Sequence, residues 1–161
     1  MRHEMLLDRR QMQCSASAST VFDVVCGLGG VSGWPAGNVL WRIRGFIDQI
    51  FGGVGMRRAR IDSRQLSVGE TLDFWRVELL EPPHLLRLRA EMKLPGTAWL
   101  EFKVRQKSEG TSIEQTAYFQ PRGLMGLLYW YLLKPFHRFI FPGLVRAICR
   151  RAEVAIAPTV A

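Results

Sequence analysis

No two cysteines in the sequence are spaced as CxxC and no histidine stands beside one, so neither a zinc site nor a disulfide framework is legible. Cys14, Cys26 and Cys149 form an odd, scattered set, and all three are expected to be reduced and structural. A long apolar run is missing too. Within Gly123–Val145 the longest uncharged stretch runs from Gly123 to Leu133, after which Lys134, Pro135 and Arg138 interrupt the segment, whereas a membrane-crossing helix needs about 20 apolar residues. The first residues, MRHEMLLDRRQMQC, contain no apolar core of a secretory signal, and the cytoplasm is the expected location. Acidic residues are in short supply: 14 Asp and Glu stand against 22 Lys and Arg, a net charge of +8. Such a surplus suits nucleic acid, anionic lipid or a phosphorylated ligand without choosing among them.

Several chemical signatures are absent as well. Val21–Gly33 (VFDVVCGLGGVSG) offers Gly27-x-Gly29, but Ser32 stands where a dinucleotide turn has its third glycine, and no βαβ unit follows. There is no G-x-S-x-G elbow and no cysteine with a histidine at recognisable spacing. The arginines are not accompanied by an RNP, helix-turn-helix or zinc-finger pattern, so no nucleic-acid partner is expected. No metal and no cofactor are expected either.

What is present is one domain's worth of chain: 161 residues, 48% of them hydrophobic, enough for a single packed core. A short strand is expected at 9–14. Ser17 or Ser19 then caps a short helix carrying Val21, Val24 and Val25, and a second helix spans Leu40–Phe51 up to Gly52-Gly53. From there the period changes to two. Leu72–Leu80 places Asp73, Trp75, Val77 and Leu79 on one face. Leu86, Leu88, Ala90 and Met92 alternate with charges, as do Ala98, Leu100, Phe102 and Val104, and Ile113, Gln115, Ala117 and Phe119 continue the inward series. Charged outer positions are set to pair across strands. GLMGLLYWYLLKPFHRFIFPGLVRAICRR reads as a long C-terminal helix, kinked near Pro135 and Pro142, that covers the sheet or lies on a bilayer surface. Two short helices, an antiparallel meander and a long last helix make an α+β domain: a curved sheet wrapped around that helix. Its core spans about 10–152 and a tail about 153–161.

Two inward polar residues, Asp73 and Gln115, interrupt otherwise apolar faces. Each bonds backbone or water, or orients a ligand in an apolar cavity. Gly52-Gly53-Val54-Gly55 leads into Arg57 and Arg58, with Arg44 on the helix before it; these form a solvated basic surface or the seat of a phosphate or carboxylate. Trp99 falls among charges on the outer phase, where a large aromatic calls for a helix or a partner against it.

The strings SASTVFDVV, LWRIRGFIDQIFGGVGMRRAR, VGETLDFWRVELLEPPHLLRLRAEMKLPGTAWLEFKV and EQTAYFQPRGLMGLLYWYLLKPFHRFIF together resemble a bacterial domain family with no established reaction. It is commonly fused behind an atypical short-chain-dehydrogenase-like NAD(P)-binding domain. The family is similar to the START-like (polyketide cyclase, helix-grip) superfamily. The resemblance implies a helix-grip fold with an apolar cavity between sheet and C-terminal helix, and it supplies no reaction. It also implies that the chain acts alone or is the detached end of a longer protein.

The leading expectation is binding of a small apolar ligand. Trp75, Val77, Leu88, Ala90, Leu100, Phe102, Ala117 and Phe119 form the wall, Leu128 and Tyr131 the lid. Asp73 and Gln115 supply polarity, and Arg44, Arg57 or Arg58 holds an anionic end. A second expectation is a cyclase or dehydratase using Asp73 as acid/base. A third is an interaction module whose Trp130–Phe141 surface docks an NAD(P)-binding reductase-like domain or a peripheral membrane.

Overall fold

The alternating stretches form six antiparallel strands in the order β1-β6-β5-β4-β3-β2. The computed structural model describes residues 5–29, 33–35, 46, 49–50 and 66–156. The strands are β1 Leu6–Cys14, β2 Thr71–Leu72, β3 Trp75–Glu81, β4 Leu85–Ala90, β5 Gly96–Lys107 and β6 Gly110–Pro121. The helices are α1 Ala18–Cys26 and α2 Gly123–Ile156. The sheet is curved and α2 lies against it, so the α+β helix-grip architecture holds. The helix expected at Leu40–Phe51 lies almost entirely outside the described residues, and so do Arg44, Arg57 and Arg58.

β5 and β6 form the long central pair. Leu100 opposes Ala117, Phe102 opposes Gln115 and Val104 opposes Ile113, so the inward residues stack in register beneath α2. The period-two reading fails in one strand. A register shift in β3 between Val77 and Leu79 re-phases its end, pairing Leu80 with the buried Leu86 and Leu79 with Arg87. Leu80, rather than Leu79, packs against the core, because a bulge inserts one unpaired residue and exchanges the faces beyond it.

The outer face carries the expected cross-strand pairs, and one of them is buried. Glu101 opposes Arg87, accepts a 2.7 Å bond from its Nε, and lies 2.8 Å from Lys103 Nζ. The Tyr118 hydroxyl donates to the same carboxylate at 3.2 Å. Burial pushes the Glu101 carboxyl up, but the hydrogen bonds and charges of Lys103 and Arg87 outweigh it and hold it below the usual range.

Ser17 is the cap of α1, its hydroxyl accepting from the Thr20 amide at 3.2 Å, and Val21, Phe22 and Val25 are buried beneath it. The cysteine expectation is overturned. Cys14 at the end of β1 is disulfide-bonded to Cys149 on α2, with Cα atoms 5.3 Å apart. The two are separated by 135 residues, so no local spacing could pair them; the fold does so by laying the end of β1 beside α2. Glu153 adds to this junction by accepting from the Ser15 amide and hydroxyl. Disulfides persist in oxidising surroundings, so this bond and the expected cytoplasmic location pull in opposite directions.

α2 has 34 residues and is about 51 Å long at 1.5 Å per residue. Pro135 and Pro142 sit inside it. Each lacks an amide hydrogen, so the carbonyls of Tyr131 and Arg138 receive no bond from four residues on.

Candidate ligand-binding site

Between the sheet and the first half of α2 is a cavity of about 240 Å³. Its floor is Leu100 and Ala98 of β5 with Ala117 and Phe119 of β6. Trp75 of β3 closes one side, and Met92 and Leu94 of the β4–β5 connection another. The volume lies beside the two alanines, where side chains stop at Cβ while Phe119 and Trp75 reach full length. α2 supplies the remaining wall through Trp130, Leu133, Phe136, His137 and Ile140.

Gly126 sets how closely the helix approaches. A Cβ there would overlap the Pro95 carbonyl oxygen and sit 2.8 Å from the Pro121 Cα, so only glycine lets α2 start this near the sheet. One turn later Trp130 stacks on Phe119, with centroids 5.8 Å apart and planes 4° from parallel. His137 meets Trp130 edge-on at 5.4 Å and stacks on Phe141 at 4.4 Å. An aromatic series therefore runs along one side of the cavity, and an imidazole stands within it.

That imidazole is the polar feature of the wall. His137 Nδ1 is buried and has no hydrogen-bond partner among the described residues. Burial, with the Arg10 charge adding to it, lowers the His137 pKa to about 4, so the ring is neutral at pH 7. A neutral imidazole carries one N–H donor and one acceptor nitrogen. It can therefore bond a hydroxyl or a carbonyl brought into the cavity without moving a net charge.

The structure brings some expected site residues together and separates others. Trp75, Leu100, Ala117 and Phe119 line the cavity. Val77, Leu88 and Phe102 are fully buried in the core, and Ala90 packs against that core. Leu128 and Tyr131 do not cover the cavity; each is 59% exposed, because the helix turns them outward, and Trp130, Leu133 and His137 take the inward place. Trp99, placed by its phase on the outer face, also borders the cavity.

Asp73 is not on a strand. β2 ends at Leu72, and Asp73 turns the chain with φ 56°, a left-handed conformation that Asp tolerates. Its carboxylate is buried and accepts a 2.8 Å bond from the Trp34 indole N–H. Gly29 packs against it: with φ 77°, a Cβ at Gly29 would lie 2.8 Å from Asp73 Oδ2. The glycine-rich stretch after α1 thus seats a carboxylate and a tryptophan, and Asp73 is not among the residues lining the cavity. Gln115 is buried on the inward face of β6, both amide atoms without a hydrogen-bond partner among the described residues, and it too is outside the lining.

Residues 1–144 match the family described as "Protein of unknown function (DUF2867)". The chain belongs to this family. No curated protein matches it in sequence. Among solved structures, the Zhui aromatase/cyclase from Streptomyces sp. R1128 matches with a TM-score of 0.58 and 14% identity, over 98% of this chain and 99% of that one. The di-domain aromatase/cyclase StfQ of the steffimycin biosynthetic pathway matches with a TM-score of 0.58 and 11% identity over 96% of this chain. This DUF2867 chain spans about half of that di-domain protein, 52% of its length. A Thalictrum flavum norcoclaurine synthase point mutant matches with a TM-score of 0.57 and 12% identity, over 94% of this chain and 96% of that one. At these identities the likeness establishes the fold: this DUF2867 protein has the architecture of the aromatase/cyclases.

Proposed function

We infer that the chain binds a small, largely apolar ligand with an aromatic ring and one hydroxyl or carbonyl, held between the sheet and α2. The observation that carries this is the cavity wall, aromatic and aliphatic apart from the neutral imidazole of His137 in it. Size narrows the class. A cavity of about 150 Å³ takes a benzene molecule. The 240 Å³ here therefore suits one or two rings. Aromatase/cyclases and norcoclaurine synthase share the fold, which supports a small-molecule ligand but names no reaction for it. The cyclase reading through Asp73 draws no support from the cavity, since that carboxylate bonds Trp34 instead.

Titration calorimetry with 2-naphthol and with naphthalene tests the inference. Both are expected to bind the wild type. Ala117→Phe, which fills the floor, is expected to abolish both. His137→Phe is expected to weaken 2-naphthol by about 2- to 12-fold, the worth of one hydrogen bond, and leave naphthalene unchanged. Undiminished binding of both compounds to the folded Ala117→Phe protein overturns the assignment of the cavity.

A further inference from the structure

The first half of α2 is apolar on its outward side as well as its inward side. Leu124, Leu128, Leu132 and Phe139 are 81%, 59%, 64% and 78% exposed, with Met125 and Tyr131 beside them. At about 100° per residue these positions fall on one continuous side of the helix, opposite Gly126, Trp130, Leu133 and His137. A helix that is hydrophobic all round is ordinarily covered all round. Here the sheet covers one side only.

We propose that this outward side docks on the surface of an anionic lipid bilayer. Charge chooses the occupant. Between Glu114 and Glu153 the sequence contains no acidic residue, while Arg122, Lys134, Arg138, Arg146, Arg150 and Arg151 all fall there. Lys134 and Arg138 flank the apolar stripe, and the Lys134 ammonium lies 5.8 Å from the Tyr131 ring centroid. Aromatic and leucine side chains bordered by basic ones, in a helix lying flat, are the composition of an interfacial segment. A second copy fits worse: a two-fold pairing would set the same basic rim against itself. Crossing the membrane is not at issue, since no helix among the described residues is long and apolar enough. The stripe from Leu124 to Phe139 is about 22 Å long and lies in the plane of the surface. Phe136 belongs both to this surface and to the cavity wall, so the cavity lies next to the lipid. The docking does not depend on the cavity being occupied.

The test is co-sedimentation of the whole chain with vesicles of phosphatidylcholine and phosphatidylglycerol at 3:1, against pure phosphatidylcholine, at low and high salt. The wild type is expected to favour the anionic vesicles at least tenfold and to be released by salt. Lys134→Gln with Arg138→Gln is expected to lower the partition about thirtyfold, two charges near the surface. Phe139→Glu is expected to lower it at least tenfold with an unchanged melting temperature, because that side chain makes no core contact. Leu124→Glu at the other end of the stripe gives an independent second reading. Lack of association with anionic vesicles at low salt overturns the proposal, and so does binding that survives both Phe139→Glu and Leu124→Glu. A dimer in analytical ultracentrifugation that Phe139→Glu dissolves also overturns it, and gives the surface to a second copy.

Discussion

The two halves of α2 have similar apolar content and opposite fates. In the second half, Leu144, Val145, Ile148, Cys149 and Ala152 are buried, Arg146 and Arg150 point outward, and Cys149 is bonded to β1. In the first half, Gly126 and Trp130 are the buried residues, eight large apolar side chains are exposed, and the inward-facing ones border a cavity rather than a filled core. The second half anchors the helix and the first half holds a space open. Stability and the proposed binding are therefore separable along a single helix, and substitutions in the two halves are expected to report on different properties.

The largest expected effects fall in the anchoring half. Ile148→Ala is expected to cost about 3–4 kcal/mol, a large-to-small change at a fully buried site, whereas the equally conventional Leu128→Ala is expected to stay within about 0.5 kcal/mol. Denaturant unfolding of both variants checks this, and equal costs would erase the distinction between the halves. Reducing the Cys14–Cys149 bond is expected to cost about 2–5 kcal/mol, since it releases a closure of 135 residues.

The cavity half is expected to show itself in pH rather than in packing. His137 titrates near 6.5 unfolded and about 4 folded, so the unfolded chain binds more protons between those values. Stability is therefore complete above pH 6.5 and falls as the pH drops through that window, by about 2–3 kcal/mol given the ring's partial exposure. His137→Phe is expected to flatten this part of the profile, measured as unfolding free energy at pH 7 and pH 4.5. An unaltered profile in the variant would mean that the imidazole is solvated. Glu101 acts lower: its depressed carboxyl contributes stability above the usual carboxylate range, lost as pH falls through the folded value. Glu101→Gln is expected to cost about 2 kcal/mol at pH 7, because Arg87 and Lys103 keep their charges while the opposite charge and one of the two acceptor oxygens are lost.

The same contrast explains what the sequence disclosed. Strand phase was legible in β4, β5 and β6, where each inward apolar residue is followed by an outward polar or aromatic one, and Leu100, Ala117 and Phe119 follow from it. In β3 a bulge ended that legibility at Val77, and nothing in WRVELLE marks the extra residue. Asp73 was misplaced because a two-residue strand and a turn imitate alternation. In α2 the first half has no polar side to fix its rotation, so Leu128 and Tyr131 were as eligible as Trp130 and His137. The phase was recoverable from the second half. Arg146 and Arg150 mark the outside, and stepping back from Leu144 by three or four residues reaches Phe141, His137, Leu133, Trp130 and Gly126. The disulfide had no such signal, since only the tertiary fold brings Cys14 to Cys149.

The smallest expected effect concerns Gln115, which sits under α2 within the filled part of the core while His137 sits in the open part. Both carry buried polar atoms without partners among the described residues, but only His137 lines space that a ligand can occupy. An unsatisfied buried amide costs about 1–3 kcal/mol, and replacing it with an apolar side chain of similar shape removes that cost. Gln115→Met is therefore expected to raise stability by about 1 kcal/mol and to leave 2-naphthol affinity unchanged. His137→Phe is expected to remove a comparable penalty but to weaken 2-naphthol. The pair of variants, measured by denaturant unfolding and calorimetry, separates an amide that only costs stability from a ring that also bonds the proposed ligand. A loss of 2-naphthol binding in Gln115→Met would move the polar end of the site from the helix to the sheet.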